Sequence, residues 1–188
     1  MMTEPIRDKR QLKEISRYWI KRGNVRNYVL IVLGVCTTLR IGDLLHLTWD
    51  DVYDEKGRAF RSHISVTEQK TGKLKVIALN SQAIEALTLY REQRQEGLLF
   101  PNNRRCAQPL SRVQAWRIVK IAATAKKVEG VISCHSLRKT AGYHAWKAGV
   151  SPVVIMDIYG HSSYEMTKRY LGVTQDDRDK VYLSMALF

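Results

Sequence analysis

Apolar residues recur at helical spacing along most of the chain and give way to alternation in one central stretch. Residues 7–22, RDKRQLKEISRYWIKR, set Leu12, Ile15, Trp19 and Ile20 among charges, which predicts an amphipathic surface helix stopped near Gly23. Residues 25–39, VRNYVLIVLGVCTTL, are apolar almost all round and predict a buried helix, followed by a short helical pattern in IGDLLHL. Between 59 and 69 the period changes: Phe60, Ile64 and Val66 fall on one face, and Arg61, His63 and Ser65 on the other. Residues 73–79, KLKVIAL, alternate likewise, and Gly72 between the two runs supplies the positive φ of a tight reversal. This predicts a β-hairpin with Lys70 and Lys73 at its tip.

Helix starts are marked by capping residues. Asn80 or Ser81 opens a helix to about Arg94 with Ile84, Leu87 and Tyr90 inward. A Gly-, Asn- and Pro-containing loop follows over 97–110, with one short extended piece at 98–100. Ser111-x-x-Gln114 has the form of a capping box before a helix carrying Val113, Trp116 and Val119. Ser133 or Ser136 caps the next helix, which ends at Gly149; Ser151-Pro152 starts another, which Gly160 ends. Ser162-x-x-Glu165 reads as a second capping box, placing His161 at a helix entrance and Tyr170 two to three turns along. Residues 176–188 start charged and end apolar, so they cover the protein's own core or dock on a neighbouring subunit. The pattern as a whole predicts a mainly α fold with a small antiparallel β-hairpin, in one compact domain over 1–188 with an N-terminal helix within 1–24.

Charge narrows the partners. Lys and Arg number 31 against 18 Asp and Glu, a formal charge of +13, and such an excess favours a polyanion whose condensed counterions are released on binding. Charge alone does not choose DNA over RNA, or binding over catalysis. Cys36, Cys106 and Cys134 are odd in number and widely spaced, which suggests neither a disulfide framework nor a zinc site and fits reduced thiols. No secretory signal opens the chain and no apolar run approaches the ~20 residues that span a bilayer, so a soluble, cytoplasmic protein is expected.

The chemistry concentrates between His135 and Tyr170, where H-S-L-R-K, G-H and T-K-R-Y follow one another. A phosphodiester gripped by Arg138, His135 and His161 is open to attack by the Tyr170 hydroxyl, and Arg138 near a helix N-terminus suits an anion. Such chemistry needs no metal if a second cation and a proton donor come from elsewhere. Arg40, at the end of the buried helix, is either half of an ion pair with Asp43 or a guanidinium aimed at phosphate. Lys70 is either a solvated turn residue or an ammonium delivered by a mobile hairpin tip.

Taken together these residues resemble the catalytic domain of the tyrosine recombinases, the phage integrase family. That family's pattern is an arginine after a T-G-L-R-like helix end, a hairpin lysine, H-x-x-R, then G-H, and a tyrosine about nine residues on; here T-T-L-R, E-Q-K-T-G-K, H-S-L-R, G-H and K-R-Y supply them in order. The resemblance implies the tyrosine recombinase catalytic-domain fold and a site-specific recombinase or integrase that cuts and rejoins DNA through a 3′-phosphotyrosine, with no cofactor, metal or ATP. Tyr170 would be the nucleophile, Arg40 and Arg138 the clamp on the phosphate, and Lys70 the general acid. His135 would assist proton transfer, His161 would bond the scissile phosphate, and Asp43 would orient Arg40. Lys73 or Lys75 stand as alternative proton donors; Lys73, Lys75, Arg104, Arg105, Lys139 and Arg169 are candidate DNA contacts. The implied partners are double-stranded DNA, further copies of the chain as a tetramer on DNA with the C-terminal segment docking in trans, and accessory DNA-bending proteins. The family's separate N-terminal DNA-clamping domain has no room in residues 1–24, so an excised catalytic domain or a naturally short member is expected, and the closing Y-L-G-V-T-Q-D-D favours the short member. Rival readings are a type IB topoisomerase-like relaxase and a DNA-binding regulator that keeps the fold without catalysis.

Overall fold

The computed structural model describes residues 3–103, 105, 107–173 and 175–185. Ten helices and four short strands are seen among them: α1 (Lys9–Ile20), α2 (Val25–Cys36), α3 (Ile41–Leu44), α4 (Trp49–Val52), β1 (Tyr53–Asp54), β2 (Ala59–Phe60), β3 (His63–Thr67), β4 (Leu74–Ala78), α5 (Ser81–Arg91), α6 (Arg112–Ala125), α7 (Cys134–Lys147), α8 (Pro152–Tyr159), α9 (Tyr164–Leu171) and α10 (Gln175–Ser184). The chain divides into two compact units, residues 1–141 and 142–188, with the division falling inside α7.

The first unit is built on α2. Val29, Leu30, Ile31 and Leu33 are fully buried on it, as its near-continuous apolar sequence requires. One side packs into a core with Trp49, Leu87, Leu99 and Phe100, the other into a second cluster with Ile15, Val119 and Leu137. Caps fall where short polar side chains precede apolar runs: Asn24 accepts from Asn27 N–H, Asn80 from Ala83, and Ser111 forms the expected box with Gln114. On α6 the inward face is Ala115, Ile118, Val119 and Ala122, whereas Val113 and Trp116 are exposed.

The alternating stretch forms the expected hairpin, β3 against β4 with Ile64 opposite Ile77 and Val66 opposite Lys75, and Gly72 turns at φ +65°. The run predicted as one strand from 59 is split. β2 pairs with β1 in a separate two-stranded sheet, because Arg61 donates its amide to the Val52 carbonyl and its Nε to the Asp50 carbonyl, pulling that end towards α4.

In the second unit, Ser151 and Pro152 open α8 and left-handed Gly160 closes it. The cap of α9 is Ser163, whose Oγ accepts from Met166 N–H, one residue beyond the Ser162 box expected; Ser162 contacts the Met166 sulfur instead. Ile155, Tyr159 and Leu171 form its small core, and Lys147 is ion-paired with Asp177. Among the described residues no helix is long and apolar enough to cross a membrane.

Candidate active site

In the first unit the site is assembled where α2 ends. Thr37 caps the helix, and Thr38 then takes the left-handed conformation, φ +54°, in the position after a helix end that usually falls to glycine. That reversal turns Leu39 into the core and presents Arg40 at the start of α3. Arg138, one turn into α7 and 2% exposed, donates from Nη1 to the Thr38 carbonyl, and Lys75 Nζ donates to the Thr38 hydroxyl at 3.0 Å. Two cations from distant parts of the chain are therefore fixed on one strained residue, two positions before a third.

The partner of Arg40 is Glu68, not the predicted Asp43. Arg40 Nη1 lies 2.5 Å from Glu68 Oε1, and Thr71 Oγ1 donates to Oε2 at 2.8 Å. Burial alone would raise the Glu68 carboxyl, but the bonds from Arg40 and Thr71 and the charges of Arg40 and Lys75 outweigh it and hold it below the usual range. Asp43, also buried, accepts the Gln69 amide at 3.0 Å through Oδ1, so it anchors the hairpin turn to α3. Glu68 was legible in one respect: it shares the inward parity of Ile64 and Val66, where an acid needs a buried partner.

His135 stands at the start of α7, its amide donating to the Ser133 hydroxyl at 3.2 Å. Burial, with the charges of Lys139, Arg138 and Arg40, pushes its imidazole down to about 4, so the ring is neutral at ordinary pH. Burial first, then the Arg138 charge, pushes Lys75 down to about 8, with Glu68 opposing. Lys70 and Lys73 are exposed at the hairpin turn.

The second unit holds Tyr170, the expected nucleophile, in a set of rings. Tyr159, in the small core, stacks on His161 with centroids 5.2 Å apart, and Tyr170 meets both rings, at 5.1 Å from Tyr159 and edge-on to His161 at 4.5 Å. His161 Nδ1 lies 3.0 Å from the hydroxyl of buried Thr167, which sets the ring's orientation. Tyr159 was absent from the sequence expectations; its place before Gly160-His161 is the only signal the sequence carries.

Of the candidate DNA contacts, Arg105 and Arg169 are exposed as expected, and Arg104 lies outside the described residues. Lys139 is a correction: it is 3% exposed, and its Nζ donates to the Thr3 carbonyl at 2.7 Å, because one step along the helix from Arg138 turns it towards the N-terminal segment.

The helical scaffold and its hairpin define the fold of a tyrosine recombinase catalytic domain, matched by the crystal structure of XerA recombinase with a TM-score of 0.75 at 21% identity, over 98% of this chain and 66% of that one. A XerH recombinase bound to a palindromic difH substrate, after cleavage, matches with a TM-score of 0.75 at 18% identity, over 97% and 53%. The chain belongs to the phage integrase family, which it matches over residues 7–176. It is 34% identical over 182 residues to the probable integrase/recombinase YoeC of Bacillus subtilis strain 168, covering 96% of each. It is 26% identical over 158 residues to the tyrosine recombinase XerA of Pyrococcus furiosus, covering 82% of this chain but 53% of that protein. The chain thus spans nearly all of the first relative and about half of the second.

Proposed function

We propose that this chain is a site-specific DNA recombinase that cuts and rejoins duplex DNA through a covalent 3′-phosphotyrosine at Tyr170. The observation that carries the reading is the cluster of Arg40, Arg138 and Lys75 gathered on the turn after α2, a cradle of fixed cations suited to a phosphodiester. Relatives named as recombinases, one solved on a cleaved substrate, support it.

In the reaction Tyr170 Oη bonds to phosphorus as the bond to the 5′ oxygen breaks. The transition state carries added negative charge on the non-bridging oxygens, and donors already in place stabilise it without reorganisation. Arg40 and Arg138 take that role, with His161 as a further donor. Arg40 must exchange Glu68 for phosphate as DNA arrives. A phenol of reference pKa ~10 needs a proton acceptor, and neutral His135 is suited to be one. Lys70, on the hairpin tip, protonates the leaving 5′ oxygen. The phosphotyrosine conserves the bond energy, so the 5′-hydroxyl of a second strand reverses the sequence without ATP. Asp43 supports the cradle by tying the turn at Gln69 to α3.

The exposed Val181, Tyr182 and Leu183 of α10, with Met185 just after it, suit docking on another copy of the chain, as a multimer on DNA requires. We place the protein in the cytoplasm, acting on mobile-element DNA with DNA-bending accessory proteins. The test is a denaturing-gel assay for a protein–DNA adduct on a bound site in EDTA. Wild type should form the adduct and Tyr170→Phe should bind but form none. Cleavage by Tyr170→Phe would sink the assignment, and a wild type that binds without an adduct would be a regulator.

A further inference from the structure

The segment before α1 is tied to the helix that carries His135 and Arg138. The Glu4 amide donates to the Val131 carbonyl at 3.1 Å, and the Ile6 amide to the Thr140 hydroxyl at 2.9 Å. Ile6 is fully buried in the core cluster that holds Leu137. The Thr140 hydroxyl, also buried, donates in turn to the Ser136 carbonyl at 2.7 Å. Residues 3–6 thus form a strap across the first two turns of α7.

Lys139 is the member of this junction that packing does not explain. An ammonium that is 3% exposed is costly to bury, and an apolar side chain would fill the space without that penalty. Burial pushes the Lys139 ammonium below its ordinary range and the Glu4 charge opposes it, while the Thr3 carbonyl accepts from Nζ at 2.7 Å. The strap therefore brings a carbonyl and a carboxylate to keep a cation inside. His135, Arg138 and Lys139 are spaced i, i+3 and i+4, so the imidazole neighbours both cations on one face of α7. After burial, the charges that bear on its ring are Lys139 first, then Arg138, both from α7, and then Arg40 at the start of α3. The two arginines are assigned to the phosphate. Lys139, shut away from solvent, is left with the imidazole.

We propose that Lys139, held by the strap at residues 3–6, is a positioning residue that acts through His135: its buried charge keeps the imidazole unprotonated until a phosphate arrives. The inference rests on the recombinase reading above and deepens it by giving the proton acceptor a control. A ring that already holds a proton cannot take one from Tyr170 Oη, so the empty site has to keep it neutral. The phosphate adds negative charge beside the ring and raises its affinity for a proton, at the step when the phenol must lose one. The proton then moves from Tyr170 Oη to the imidazole as Oη bonds to phosphorus, and returns to the phenol oxygen on rejoining.

The test follows the His135 ring by NMR titration of the free protein, its signal identified by loss in His135→Gln, together with the rate of adduct formation on bound DNA against pH. Lys139→Met removes the charge and keeps the apolar stem; Lys139→Gln removes it and can still donate to the Thr3 carbonyl, so either neutral variant that folds is sufficient. Each should move the His135 titration up by about half a pH unit or more, since a like charge has been withdrawn. The acid limb of the cleavage profile should move with it, leaving the variant about threefold or more slower on that limb, with the deficit shrinking on the plateau above. Lys139→Arg should restore both. Thr140→Val, which cuts a bond of the strap but changes no charge, should lower the melting temperature and leave the His135 titration in place. An unmoved titration in the neutral variants, a loss of rate equal at every pH, or a shift as large in Thr140→Val would each overturn the proposal. A moved titration with no wild-type adduct at any pH would instead overturn the recombinase reading, keeping the coupling of Lys139 to His135 but not its use in cleavage.

Discussion

In residues 3–141 the candidate reactive side chains gathered at the turn after α2 are cations held by oxygen atoms: Arg138 and Lys75 on Thr38, and Arg40 on Glu68. In residues 142–188 they are rings held by rings, with Tyr170 and His161 set against Tyr159. The first arrangement is electrostatic and exchangeable, since a phosphate oxygen can take the place of a carboxylate oxygen. It stands on an extensive core around α2. The second is fixed by volume, and stands on the three buried residues Ile155, Tyr159 and Leu171. Substitutions that change charge should therefore act through the first unit, and substitutions that change shape through the second.

The largest effect is expected at Arg138. Arg138→Ala should slow adduct formation about 1000-fold, the upper range for losing one preorganised donor to a developing charge. It should also cost about 1–3 kcal/mol of stability by stripping the Thr38 carbonyl of its donor. Adduct yield and thermal melting read the two losses separately. Normal cleavage by this variant would remove the cradle from the mechanism.

Gly142→Ala comes next and probes shape. A Cβ there would lie 2.7 Å from Tyr159 Oη and 2.8 Å from its ring carbon Cε2, and a rigid ring has to shift as a whole. Since Tyr159 sets His161 and Tyr170, cleavage should fall about 100-fold, the cost of misplacing a reacting group by about 1 Å. DNA binding, assigned to the cations, should be unchanged. Gly34→Ala is the counterpart in the first unit: its Cβ would meet Leu137 Cδ1 at 2.8 Å, the end of a side chain that can turn. It should lower the melting temperature, at a cost of about 1–3 kcal/mol, more than it lowers the cleavage rate. If Gly142→Ala abolished binding and spared cleavage of bound DNA, the division between charge and shape would be wrong.

These particulars also mark what the sequence could convey. The hairpin was legible because alternation and Gly72 agree, and α6, α8 and the end of α2 were legible from caps and apolar runs. The split at Arg61 was not, because it is imposed by carbonyls of α4 that no local pattern displays. α4 itself was hidden because its capping box uses Thr48 with Asp51 in place of the usual Glu or Gln. The order of the candidate residue types was visible, but their partners were not. Asp43 looked the natural mate for Arg40 by proximity in sequence, whereas the hairpin folds back to bring Glu68 there. Lys70 matched the family's K-T-G context, with Lys73 and Lys75 as alternatives, and only the strand register shows that Lys75 is the one turned inwards.

The smallest effect expected is a pH dependence confined to the first unit. His135 is pushed down to about 4 when folded, against a reference of ~6.5 when unfolded. Between those values the unfolded chain binds a proton that the folded chain refuses, so stability is full above pH ~6.5 and is lost as pH falls towards 4. Glu68, held below its ordinary value, adds a loss of the same sign that begins only below ~4.5, so the window from ~6.5 to ~4.5 reports His135 rather than the carboxylate. Melting temperature should therefore decline through that window, and His135→Gln should flatten the decline. A phosphate placed among these cations favours the imidazolium and must raise the His135 pKa, which means DNA binding takes up a proton. Affinity should accordingly tighten as pH drops from about 7.5 to about 5.5, by more in wild type than in His135→Gln. An identical tightening in both proteins would show that His135 does not sense the phosphate, and would leave the arginines to hold it without the imidazole.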